Sequence, residues 1–285
     1  MKIYFITTNH LDDRIWFRDN EDFKVGMNYV AVTVSVTGVV VIAFVLMSNH
    51  VHFIIICEDR AAARRFINHY KKLYGTYYHN KYGDKRFLRR NDVDIQEIIL
   101  GDESVERVVA YIVMNSVAAR ICAAPNGYKW GSGACYFNDN KEKGRRLDSM
   151  SVRSRHRTIK SKAELPGNWI IGAEEFILPE SYVAVDFVEK LFRNPSRYNY
   201  FLNSSSKAKK VRDLDGPSFR DQLILEGLQD LCVTLFNKRS IKDLSVKEKA
   251  EVARQLRWRF SADSHQISRV TGIPYPELTE LLSSI

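Results

Sequence analysis

His50-Val51-His52 sets two imidazoles at alternate positions of an apolar segment, a spacing that could hold one cation. Side chains two apart on a strand share a face, so both rings would point one way while Val51 enters the core. Imidazole suits several divalent metals, and an added amide or carboxylate oxygen turns such a site toward Mg2+ or Mn2+. The second group able to do chemistry is Tyr111. Residues 102–122 read as one helix, in which Val105, Val108, Val109, Ile112, Ser116 and Ala119 make a core stripe. Arg107, Tyr111, Asn115 and Ala118 make the adjacent stripe, so a phenol and an amide one turn apart face the same place. A tyrosine hydroxyl, with a pKa of about 10, is a weak nucleophile near neutrality. A cation that withdraws charge from a phosphate offsets that weakness. His50, His52 and Asn115 are therefore the candidate metal ligands, and Tyr111 the candidate nucleophile. Each part also has a plain structural reading: histidines on a half-buried strand can be core, and Tyr111 can pack at a core edge.

Several elements must position these groups. Lys2 to Thr8 alternates like a strand, and 39–57 reads as a hairpin turning at Ser48-Asn49. Arg18 to Val36 is ambiguous: its Val-x-Val-x-Val run favours a strand, its charged opening and length a helix. Arg60 to Tyr82 has helical spacing, Asp94 to Leu100 resembles a short strand, and Asp102 is the expected N-cap of the next helix. This order of elements predicts an α+β layer in which helices pack on one face of an antiparallel sheet. The Gly-, Asn- and Lys-rich stretch 126–150 suggests a boundary. The expected division is thus a domain over 1–140, a basic linker over 141–162 and a mainly helical region over 163–285.

Composition narrows the partners. Lys and Arg number 43 against 34 Asp and Glu, a net charge of +9 that favours a polyanion. Four scattered cysteines include no C-x-x-C pair, which argues against a zinc ribbon and a disulfide framework and fits a reducing cytoplasm. No Asp, Glu, Lys or Arg falls between Lys24 and Glu58, yet Gly38 and several polar residues divide that stretch, so core rather than membrane span is expected. The opening residues lack the layout of a secretory signal. Arg64, Lys71, Lys72, Lys85, Arg86, Arg89, Arg90 and Arg107 are the candidate contacts for a phosphate backbone. Tyr74, Tyr77 and Tyr78 are candidate stacking surfaces for unpaired bases.

The segments AFVLMSNHVHFIII (43–56), YIVMNSVAAR (111–120) and YKWGSGACYF (128–137) resemble the REP-associated tyrosine transposases of the HUH (His-hydrophobe-His) single-tyrosine group. YFITTNHLDDRIWF (4–17) and FINHYKKLYGTYYHNKYG (66–83) extend the likeness over roughly residues 1–140. The resemblance implies a ferredoxin-like nuclease domain and a helix over 18–36. It implies that Tyr111 attacks single-stranded DNA, often beside a hairpin, leaving a 5′-phosphotyrosine and a free 3′-hydroxyl. Asn115 falls at the position of the third metal ligand, where relatives often carry the longer Gln. A homodimer is one expected assembly. A DNA-binding or regulatory protein that has lost cutting is the alternative, and a phosphodiesterase using water instead of tyrosine is a third.

The C-terminal part carries no catalytic signature. Ser245 and Glu248 form a capping box, and Ser261 to Leu282 resembles a helix-turn-helix with Gly272 at the turn, placing such a unit within 245–283. Its second helix bears Glu277 and Glu280 and no Lys or Arg, which opposes groove reading.

Overall fold

The computed structural model describes residues 1–8, 14–84, 87–88, 91–140, 142–208 and 219–283. Four strands, β1 (Lys2–Thr8), β2 (Val40–Met47), β3 (His50–Cys57) and β4 (Val93–Ile98), form one antiparallel sheet in the order β2-β3-β1-β4. With α1 (Asn20–Thr37) between β1 and β2 and α2 (Arg60–Tyr82) between β3 and β4, this is the expected ferredoxin-like α+β arrangement. Register decides the faces. Thr7 lies opposite His52, and Phe5 lies opposite both Ile54 and Gln96. Alternation therefore puts Phe5, Thr7, His50, His52 and Gln96 on one face and Val51, Phe53 and Ile55 on the other. The Phe53 ring meets Phe66 and Tyr70 of α2 at 5.2 and 5.5 Å, so α1 and α2 layer that face. A further helix, α3 (Ser104–Val113), takes the histidine face.

The segment ambiguous by pattern is helical because of its surroundings. Asp19 caps α1 by accepting from the Asp22 amide at 2.8 Å, and Gly38 ends it at φ 66°. Residues 25–33 are all buried, so packing on every side overrides the strand preference of the valines. Gly26 lets Phe17 approach: a Cβ there would stand 2.5 Å from its ring. In α2, Asp59 accepts from the Ala62 amide at 2.7 Å, and Gly83 closes the helix at φ 80°.

Four expectations need correction. The run 102–122 is not one helix. α3 ends at Val113, and a one-turn helix, α4, follows at Asn115–Ala118. Asn115 Nδ2 donates to the carbonyls of Tyr111 and Ile112 at 2.9 and 3.2 Å, and such back-bonding competes with the helical ladder. Asp102 does not cap α3. Asp102 and Glu103 both have positive φ, and Glu103 holds the cap position without a side-chain hydrogen bond. The stretch 126–150 is no boundary either: Tyr128, Trp130, Cys135, Tyr136 and Leu147 are buried in the main core.

That stretch seals the sheet edge. β2 is an outer strand, and its backbone would otherwise be open to pairing. Instead Leu46 donates to the Trp130 carbonyl at 2.9 Å and Ser132 donates to the Phe44 carbonyl at 3.0 Å. Tyr136 and Tyr128 hydroxyls donate to the carbonyls of Ile42 and Leu46 at 2.6 and 2.7 Å. Gly131 sits against the strand so closely that a Cβ would stand 2.8 Å from the Phe44 carbonyl oxygen. We expect Gly131→Ala to cost about 1–3 kcal/mol, the usual penalty for overpacking. Chemical denaturation checks this, and an unchanged midpoint would show that the strand can yield.

Residues 145–159, expected as linker, are folded. β5 (Arg145–Arg146) pairs with β6 (Ile170–Ile171), and α5 (Val152–Ile159) packs against α1. Tyr29 donates to the Lys160 carbonyl at 3.2 Å, and Asn28 Oδ1 accepts from the Ile177 amide at 2.9 Å. Helices resume at α6 (Val185–Phe192) and α7 (Pro195–Ser204). One hydrophobic core runs from β1 through Ala208. A second gathers the helices Asp221–Phe236, Val246–Phe260, Ser264–Thr271 and Tyr275–Ser283, together with Ile15. The capping box at Ser245 and the Gly272 turn between the last two helices are as expected. Among the described residues no helix is long and apolar enough to cross a membrane.

Candidate active site

Strand alternation and the β2–β3 turn bring the two imidazoles together. Their ring centroids lie 4.8 Å apart at 81°, and both side chains are almost wholly buried, at 5% and 3% exposure. Nδ1 of His50 lies 2.8 Å from Oδ1 of Asn49. An amide oxygen only accepts, so this contact calls for a proton on His50 Nδ1, and in the neutral ring Nε2 is then the nitrogen able to bind a cation. Fixing a tautomer through the far nitrogen is the usual support for a metal-bound histidine.

α3 delivers Tyr111 to the same place. Its ring meets His52 edge-on at 5.8 Å and Phe5 at 6.0 Å, while Phe5 itself stacks on His52 at 5.8 Å. Burial raises the pKa of the phenol, so an ionised Tyr111 needs nearby positive charge. Lys207 supplies some, its Nζ standing 4.6 Å over the Tyr111 ring. Asn115 is buried at the α3–α4 break with its Nδ2 committed to its own helix. Among the described residues no group of three His, Cys, Asp or Glu is gathered. The chemistry of the pair still fits a divalent ion: two imidazoles converge on one face, one with its tautomer set, and a third ligand would have to be an amide or hydroxyl oxygen.

The proposed DNA contacts scatter. Arg107 is exposed on α3 and shares a cleft of about 430 Å³ with Tyr111, Phe5, Gln96, Val108 and Tyr200. Arg64, Lys71 and Lys72 sit on α2, the helix layered on the opposite face of the sheet. Lys71 is partly buried and donates to the Asn91 carbonyl, while Arg64 and Lys72 are exposed. Lys85, Arg86, Arg89 and Arg90 lie outside the described residues. Of the three tyrosines expected to stack on bases, Tyr74 and Tyr78 are buried and Tyr77 is half-buried with its hydroxyl engaged. Tyr74 is fully buried with its hydroxyl on the Trp16 carbonyl, and Tyr78 stacks on Phe87 at 3.7 Å. Tyr77 donates to Asp22 Oδ1 at 2.8 Å, where Lys81 also binds at 2.7 Å; this cluster ties α2 to α1.

The turn that carries the histidines is gripped from two directions. The Ser48 carbonyl accepts from the amides of Trp16 and Phe17 at 2.7 and 3.3 Å. Its hydroxyl donates to Oδ2 of Asp221 at 2.5 Å. Asp221 is buried, and it also accepts from Arg269 Nε at 2.7 Å and Gln266 Nε2 at 2.9 Å. The C-terminal helices therefore touch the β2–β3 turn one residue before Asn49. Lys207 and Asp221 carried no local sequence signal, since each acts on a partner distant in the chain, whereas Asn49 was visible only as a turn residue.

The geometry defines an α+β sheet whose outer face joins an imidazole pair to a helix-borne phenol. No family model and no curated protein matches the sequence. Among solved structures the chain is similar to a REP-associated tyrosine transposase bound to a REP hairpin. The identity is 13% and the TM-score 0.35, over 59% of this chain and 84% of that one.

Proposed function

We propose that this protein is a metal-dependent single-stranded DNA endonuclease and strand transferase, a transposase-type enzyme with Tyr111 as nucleophile. The observation that carries the reading is the meeting of Tyr111 with the His50–His52 pair across one sheet face, at 5.8 Å from the nearer ring. His50 and His52 would hold Mg2+ or Mn2+ with the Asn115 amide oxygen as a third ligand. A cation bound there would offset the developing negative charge on the scissile phosphate. Tyr111 Oη attacks phosphorus in line and the bond to the 3′-oxygen breaks. The phenol gives up its proton to solvent and the departing 3′-oxygen takes one from solvent, so the products are a 5′-phosphotyrosine and a 3′-hydroxyl. Because the ester is retained, attack by a DNA 3′-hydroxyl rejoins strands without a nucleotide cofactor. Asn49 keeps His50 in one tautomer, and Lys207 and Arg107 offset the negative charge of the strand. DNA, single-stranded and hairpin-forming, is the proposed partner. The cytoplasm is the proposed compartment, and a homodimer one proposed assembly.

The test is a covalent adduct. Incubating the protein with hairpin-bearing single strands and Mn2+ should give a protein–DNA species whose modified peptide contains Tyr111. Cleavage without adduct would favour water attack instead. A DNA-binding protein on this fold that no longer cuts is the second reading, favoured by the near-complete burial of both imidazoles. Binding with neither adduct nor cleavage would establish it.

A further inference from the structure

We infer that the cleft between α3 and α7 receives the unpaired nucleotide adjoining the scissile phosphate, with Tyr200 as its stacking surface. This rests on the reading of Tyr111 as nucleophile. The strand attacked by Tyr111 must continue somewhere, and Tyr111 itself forms part of the cleft wall. A volume of about 430 Å³ lies in the range of small-ligand sites, roughly 300–1,000 Å³. The cleft is built in zones. Phe5, Val108 and Phe201 make an apolar floor, and Gln96 stands beside Phe5 on the same face of β1 and β4. Tyr200, 65% exposed, rises at the rim from α7. Ser204 and Ser206, both exposed, add neutral hydroxyls, and Lys207 holds its ammonium 4.6 Å over the Tyr111 ring. Flat apolar surface with neutral hydrogen-bonding groups suits a base, and positive charge near the phenol suits its phosphate. The carboxylate in the cleft does not oppose this. Glu103 is paired with Arg107 at 3.2 Å and with Arg197 at 2.9 Å, and Arg197, which also reaches Glu106 at 3.5 Å, docks α7 on α3. Tyr200 contributes little to the core, so its ring is open to stacking by a base.

The test separates this pocket from the chemistry. In a Tyr111→Phe background, which cannot form an adduct, short oligothymidylates each carrying one 2-aminopurine at a successive position are titrated without metal. One position should be quenched by stacking. Tyr200→Ala should abolish that quenching and weaken binding by about tenfold to a hundredfold. Tyr200→Phe should restore both, which a merely structural role for the hydroxyl-bearing ring would not require. Equal quenching by Tyr200→Ala and its parent would overturn the pocket while leaving Tyr111 untouched. Quenching that depends on Tyr200, in a protein that never forms an adduct through Tyr111, would keep the pocket and refute the nucleophile.

Discussion

Tyr111→Phe should abolish the covalent protein–DNA adduct and lower strand cleavage by roughly four orders of magnitude or more, the scale on which loss of a nucleophile is felt. The variant removes one oxygen and keeps the ring, so the edge contacts with His52 and Phe5 survive. Folding should be unaffected, because Tyr111 Oη makes no hydrogen bond among the described residues and its ring is only half buried. Thermal denaturation of parent and variant should therefore coincide while the adduct band vanishes. An undiminished adduct would remove Tyr111 from the chemistry.

The second large effect concerns stability. Asp221→Ala should destabilise the protein by about 3–5 kcal/mol, as expected when one member of a buried charged network is deleted. The Asp221 side chain is 2% exposed and that of Arg269 17%, so the substitution removes a buried carboxylate that accepts from three side chains. Gln266 and Ser48 would lose an acceptor at the same time. The damage should be local in a recognisable way. Amides of Trp16 and Phe17, which donate to the Ser48 carbonyl, should exchange faster with deuterium, because Ser48 is held on its other side by Asp221. Denaturant unfolding together with hydrogen exchange measures both. A loss below about 1 kcal/mol, the typical net worth of a single hydrogen bond, would mean that the network contributes no more than one ordinary contact.

Much of this was legible in the sequence, and the reasons differ by element. The hairpin and α2 follow from turn chemistry and helical spacing, which are local signals. The two histidines and Tyr111 could be nominated because strand and helix periodicities fix which side chains share a face. α1 could not be decided from its own residues, since its valines prefer a strand and only packing on all sides makes it a helix. The break at Met114 was hidden because the side chain of Asn115 is what competes with the helix, and hydrophobic spacing does not register that. The aromatic residues of α2 were misassigned for a related reason. Tyrosines at helical spacing with a wet edge and tyrosines in a core look alike until Trp16, Phe87 and Asp22 are placed against them. The basic stretch after 141 looked like a linker because Lys and Arg dominate it, whereas its few apolar residues, Leu147, Met150 and Ile159, anchor it in the main core. The grip of Asp221 on Ser48 spans 173 positions and has no local signature at all.

Anomalous diffraction from crystals of the Tyr111→Phe protein soaked with Mn2+ and a short single strand tests the central claim most directly. The account predicts one manganese peak bonded to His50 Nε2 and to a ring nitrogen of His52, with a DNA phosphate between the ion and the Phe ring at position 111. A peak elsewhere, or a strand bound with its phosphates far from residue 111, would contradict it.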